Sequence, residues 1–199
     1  MPSKDREFRS MELRLVREEE EKTYKVEGYA STFEPYFMFE RDGVQYFERI
    51  EPTAFDEADL SDVVFRVDHT GRVFARSSAG TLELWHDEHG LGQLADLSRT
   101  QAARELFADI EAGNYPQMSF AFTVAEDHFD RATKTRVIDR IAKVYDVSPV
   151  SFPQNPTTEL SVSTRAYFDG VIEEEIAERL EREKRERQKQ KIKLLTEVL

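Results

Sequence analysis

Three side chains scattered along the chain have the types that acyl-transfer chemistry uses together: Ser119, His69 and Asp146. A serine hydroxyl is a weak nucleophile until a base takes its proton, and the base works best when a third group orients it. Ser119 lies in Met118-Ser119-Phe120-Ala121-Phe122-Thr123-Val124. Bulky apolar residues there alternate with small ones, the pattern of a strand with one face buried. The serine falls on the small face, so its backbone is anchored from behind and its hydroxyl is expected to be accessible. His69 is in phase with Val63, Phe65 and Val67, at the rim of an apolar strand face. It is the candidate base, against the competing reading of a satisfied core histidine. Asp146 ends a predicted strand beside the extended Val147-Ser148-Pro149 segment and is the candidate orienter. Asp68 is adjacent to His69, points to the other face and is a poorer one. Periodicity alone does not bring these residues together.

The other histidines offer less. His86 and His89 flank Asp87-Glu88 in a turn, but helical zinc-hydrolase motifs place their histidines four apart rather than three. His128 falls in a polar turn. With no cysteine in the chain, a thiol nucleophile and thiolate metal sites are excluded. No metal or cofactor is expected.

The elements that would position these groups are mostly strands. Residues 11–30 read as a hairpin, 31–43 as an aromatic-rich loop and 44–50 as a strand. A helical turn or short helix spans 53–60. A strand covers 63–69, with a turn at Thr70-Gly71 and a partner over 73–76. Short strands follow at 81–85 and 91–96. The clearest helix is 99–112, with an apolar stripe of Ala103, Leu106, Phe107 and Ile110. Ser98 and Gln101 form its expected capping box, and Gly113 its stop. The Ser119 strand comes next, then a turn over 126–134, a strand over 136–145, and an extended 146–153 segment whose two prolines forbid helix. The fold class is α+β, mainly β, with a small closed or nearly closed barrel as its core.

Residues 1–10 are polar and expected to be disordered, and 11–165 form the domain. From 166 to 199 a charged helical arm follows, hinged near 161–167. Glu173–Leu199 holds eight acidic and eight basic side chains, and 181–191 contains no apolar residue. A packed core helix cannot carry that gap; a solvated or partner-binding arm can. The net charge of −12 argues against a nucleic-acid or anionic-membrane surface. No stretch approaches the roughly 18 apolar residues of a membrane span.

Several segments together resemble one family. Gly28-Tyr29-Ala30, Glu48-Arg49-Ile50-Glu51-Pro52-Thr53-Ala54-Phe55 and Val67-Asp68-His69 look like the opening of the tailed-phage prohead (capsid maturation) proteases. Met118-Ser119-Phe120-Ala121-Phe122 is similar to their nucleophile strand, and Asp146-Val147-Ser148-Pro149-Val150-Ser151-Phe152-Pro153 to their closing motif. The match covers about residues 24–160, in order and at compatible spacing. It implies a serine endopeptidase with a β-barrel wrapped by helices, like the herpesvirus assemblins. His69 would be the general base, Ser119 the nucleophile and Asp146 the third member, where the related viral enzymes use a second histidine. Ala121 stands where glycine is common, and Thr-Gly-Arg follows His69 in place of an acidic or small run. The implied substrates are the major capsid protein precursor or scaffolding protein and the protease itself. The implied location is the assembling prohead in the cytoplasm of the bacterial host, with self-association possible. Backbone amides would hold the oxyanion, with Arg136, Arg140 and Arg165 as candidate helpers. The alternatives are a catalytically inactive capsid assembly or scaffolding module and a metal-dependent hydrolase on His86 and His89.

Overall fold

The computed structural model describes residues 6–15, 24–152 and 162–197. The chain divides into two compact units, Met1–Ser161 and Val162–Leu199. Strands make up 48% of the described residues against two helices, so the mainly-β expectation holds.

In the first unit, β1 (Glu7–Leu15) pairs antiparallel with β2 (Lys25–Thr32) on one side and β9 (Gln117–Asp130) on the other. Its start at Glu7 contradicts the expected disorder over 1–10: Glu7 and Arg9 are charged and so hide the strand pattern, but both are buried in ion pairs with Glu48 and Arg136, and β9 supplies the partner. The rest of that expected segment, 1–5, lies outside the described residues. β3 (Tyr36–Arg41) and β4 (Val44–Ile50) form a hairpin across Asp42-Gly43, both at positive φ. Tyr36–Arg41 is therefore a strand, not the expected loop; its aromatics pack across the hairpin, Phe39 on Tyr46 and Phe37 on Phe47. The expected helix over 53–60 is one 3₁₀ turn, Pro52–Phe55.

β5 (Val64–Val67) and β6 (Thr70–Arg76) make a second hairpin, and β7 (Leu82–His86) pairs with β8 (Gly90–Asp96). Helix α1 (Gln101–Glu111) buries Ala103, Leu106, Phe107 and Ile110 as its pattern demands. Its cap is Thr100, whose side chain accepts from the Ala103 amide, rather than Ser98. Ser98 lies two residues too early, and its amide donates to Asp96. β10 (Thr135–Val150) is one long strand that runs through the expected 136–145 strand and on to Val150 of the 146–153 segment, whose last residue, Pro153, lies outside the described residues. Pro149 lies one residue from the end of β10 and beyond the β5 ladder, whose last pair is Val147 with Phe65, a position where a missing N–H is tolerated.

The strand order is β3-β4-β10-β9-β1-β2-β8-β7, with β5 branching off β10 and β6 off β5. This path is open, so the expected closed barrel is not formed, and a single α-helix of the first unit does not wrap it. The reason lies in β10: its first part pairs with β4 and its last part with β5, so the sheet forks rather than returning to β3. The core gathers Phe55, Phe65, Phe120 and Phe122 with Ile138, Ile141 and Val147.

The second unit is α2 (Val162–Glu197), 36 residues long. It already occupies 162–167, where a hinge was expected. Ile176 and Leu180 are exposed, and i,i+3 and i,i+4 ion pairs such as Arg185–Glu181 run along it. No described helix is long and apolar enough to cross a membrane.

Candidate active site

Phe65, Val147 and Phe120 lie side by side on β5, β10 and β9 and belong to the core. Their strand neighbours consequently face the other side. Asp146 and Ser148 of β10 project there together with Ser119 of β9, with Ser148 directly opposite Ser119 and Asp146 opposite Ala121. Because β5 runs parallel to β10 at this point, its hairpin turn arrives over the same face.

That turn carries the imidazole. Asp68 and His69 are its two central residues, both in the left-handed region, with φ of 47° and 57°. Two positive φ values in a two-residue turn match the twist of a hairpin, but they are ordinarily met by Asn-Gly or Asp-Gly. For an Asp-His pair they cost on the order of 1–2 kcal/mol per residue. Three contacts hold the turn. Arg66 Nη1 donates to the His69 carbonyl at 2.8 Å. The Asp68 amide donates to the Pro149 carbonyl at 3.1 Å. The Asp68 carboxylate accepts from the Ser151 amide and hydroxyl at 2.9 and 2.6 Å. Asp68 is thus committed to the segment after β10. His69 is a turn residue, not the last residue of the strand as its phase suggested, and Asp146 sits inside a strand rather than at its end.

His69 Nε2 lies 2.7 Å from Ser119 Oγ, and His69 Nδ1 lies 2.6 Å from Asp146 Oδ1. The same Asp146 oxygen accepts the Ser148 hydroxyl at 2.7 Å. With Nδ1 protonated toward the carboxylate, Nε2 presents its lone pair to the hydroxyl, the arrangement in which a histidine removes a serine proton. Three residues separated by up to 77 positions are in hydrogen-bond reach.

The sequence profile of the caudovirus prohead serine proteases matches residues 11–170. The chain belongs to that family. No curated protein and no solved structure is significantly similar to it, and the likeness to herpesvirus assemblins is not supported.

Within this prohead protease family member, one expectation fails on accessibility. Ser119 is wholly buried, Asp146 nearly so, and the His69 side chain is 11% exposed. The small face of β9 faces into the β5–β6 hairpin turn rather than open solvent. Two of the proposed arginine helpers are occupied elsewhere. Arg136 is buried and bonds Glu7, Glu48 and Asp127, while Arg140 pairs with Glu57 and Glu126 at the surface. Arg165 lies on α2. The remaining histidines stand apart: His86 is 3.8 Å from Asp56, the His89 ring packs against Tyr29, and His128 pairs with Asp139 at 2.6 Å. Among the described residues no group of His, Asp and Glu is placed to hold a metal.

Periodicity did not single out Ser148 or Arg66. Ser148 was signalled only by sharing a strand face with Asp146 two residues away, and Arg66 by nothing local.

The same sheet holds a buried charge cluster that sequence reasoning also missed. Glu48 Oε1 accepts from Arg9 Nε at 2.6 Å and from the Tyr36 hydroxyl, and Glu48 Oε2 from Arg136 at 2.9 Å. Glu7 bonds both arginines, at 2.9 and 2.7 Å. Burial works against the charge on Arg9 and Arg136, but Glu48 and Glu7 outweigh it and raise both pKa values. Burial and then the negative charge of Glu48 push the Tyr36 phenol up, against the opposing pull of Arg9. Two arginines and two glutamates thus tie β1 and β4 to β10, the strand that carries Asp146.

Proposed function

We propose that this chain is a serine endopeptidase in which Ser119 is the nucleophile, His69 the general base and Asp146 the orienting carboxylate. The observation that supports this best is the pair of contacts through one imidazole, 2.7 Å to Ser119 Oγ and 2.6 Å to Asp146 Oδ1. His69 takes the Ser119 proton as Oγ attacks the scissile carbonyl, then gives it to the leaving amine. Asp146 stays unprotonated and stabilises the imidazolium. Water then enters, His69 deprotonates it, and hydrolysis of the acyl-enzyme restores the hydroxyl.

In keeping with its family, the substrates are the major capsid protein precursor or scaffolding protein, and the chain cleaves itself. It does so inside the assembling prohead, in the host cytoplasm. The 11–165 segment is the protease, and the 166–199 segment is an arm that targets the scaffold interior and is removable. Because Ser119 is buried, acylation requires the site to open around it, and the closed arrangement suits a protease that must stay quiet until assembly.

The test is co-expression with the capsid protein precursor of the same phage. Wild-type protein should process it and Ser119→Ala, which deletes one oxygen, should not. Processing by a folded Ser119→Ala protein would refute the assignment.

A further inference from the structure

We infer that Ser148 is a positioning residue for the proton relay, acting through Asp146; this rests on the function proposed above. Ser148 is fully buried, and its hydroxyl donates to Asp146 Oδ1 at 2.7 Å. That oxygen is the one His69 Nδ1 meets at 2.6 Å. One carboxylate oxygen therefore receives two donors, one from the β5–β6 turn and one from β10 itself.

The arrangement follows from the local sequence. Residues two apart on a strand share a face at close spacing, so Asp146-Val147-Ser148 places a hydroxyl beside the carboxylate whatever the rest of the fold does. Val147 between them points into the core and anchors the unit from behind. A carboxylate buried among apolar residues is stabilised as an anion only by donors. With His69 alone, the carboxylate could rotate about its Cβ–Cγ bond and release Nδ1. The Ser148 donor fixes that rotation, so that Oδ1 stays aimed at the ring and Nε2 at Ser119.

A second reading of Ser148, as a reserve nucleophile, has the right neighbour but no base. Ser148 lies opposite Ser119 in register. His69, however, meets Ser119 with one ring nitrogen and Asp146 with the other, and the Ser148 O–H is engaged as a hydrogen-bond donor to Asp146. The hydroxyl keeps that proton throughout the reaction.

The test uses full-length protein carrying Ser148→Ala, Ser148→Cys or Ser148→Thr. Two quantities are read: kcat and KM on a peptide spanning a capsid-precursor cleavage site, and the downfield proton resonance of His69 Nδ1–H. Ser148→Ala should lower kcat about tenfold, the scale of one hydrogen bond to a charged group, with KM changed less than twofold. The resonance should shift or broaden. Ser148→Cys, a weaker donor of similar size, should fall between, and Ser148→Thr should restore both. The melting temperature separates simple unfolding from this effect. Wild-type kcat with an unmoved resonance in Ser148→Ala would overturn the inference. So would a kcat loss that Ser148→Thr does not rescue while the resonance stays in place. The resonance reads the Asp146–His69 pair even in a protein that cleaves nothing, so failure of the peptidase assignment and failure of the Ser148 role give different results.

Discussion

Replacing Asp146 by asparagine tests the relay at its charged end. The substitution keeps shape, and its amide oxygen can still accept from His69 Nδ1 and Ser148, so the fold should survive. What disappears is the negative charge beside an imidazolium that exists only while the proton is on His69. The contact is 2.6 Å between heavy atoms, which puts the charge centres about 4 Å apart. At an effective dielectric of about 20 their attraction is worth about 4 kcal/mol. At 1.36 kcal/mol per decade, kcat should fall about 10³-fold, about a decade less than the roughly 10⁴-fold loss this substitution causes in a serine-protease triad. The assay is steady-state cleavage of a peptide from the capsid precursor, with unfolding followed in parallel. KM should change little, because the charge develops after binding. A loss of less than tenfold in a protein of unchanged stability would show that Asp146 is not the orienting group.

Other perturbations read the scaffold. Glu48→Leu leaves Arg9 and Arg136 buried without their shared carboxylate and should cost about 3–5 kcal/mol in urea unfolding; a cost under 1 kcal/mol would mean the cluster does not tie β1 and β4 to β10. Gly92→Ala puts a Cβ 2.3 Å from the indole of Trp85, the only tryptophan in the chain. The ring must move, so the emission spectrum should change and stability fall by about 1–3 kcal/mol; an unchanged spectrum would contradict that packing. Acid should loosen the β6 side first. The Lys143 contact and then Ser61 hold Asp59 below the usual carboxylate range, and Arg76 and then Ser78 hold Asp62 down at about 2. Pairs with depressed folded pKa values stabilise fully above the unfolded value of about 3.8 and lose that contribution as pH falls through the folded value. Amide exchange over 59–64 and 74–77 should rise between about pH 4 and pH 2; exchange that rises equally on raising the pH from neutrality, corrected for intrinsic rates, would oppose the assignment.

Much of the site is visible in the order of residues. Alternation placed Phe120 and Phe122 in the core and Ser119 on the opposite face, and the helix stripe at Ala103 to Ile110 was plain. The motifs carried the family, and with it the pairing of Ser119 with His69. The sequence could not supply the two events that close the site. One is the tight turn at Asp68-His69, which lacks the glycine that usually marks a turn and so was placed one step later at Thr70-Gly71. The other is the fork of β10 between β4 and β5, a consequence of long-range pairing that no window of residues encodes. The barrel expectation failed on that same fork. The burial of Ser119 was hidden for a related reason: a small strand face looks accessible until something folds over it. The charge cluster of Glu7, Arg9, Glu48 and Arg136 was equally invisible, because its members look like solvated strand residues until tertiary pairing buries them.

The most direct test of the nucleophile is to treat the purified full-length protein with a small fluorophosphonate and map the adduct by peptide mass spectrometry. A single phosphonyl group on Ser119, formed slowly because the hydroxyl is buried and lost in His69→Ala, is the predicted result. An adduct on another serine, or equal labelling of Ser119→Ala, would contradict the account.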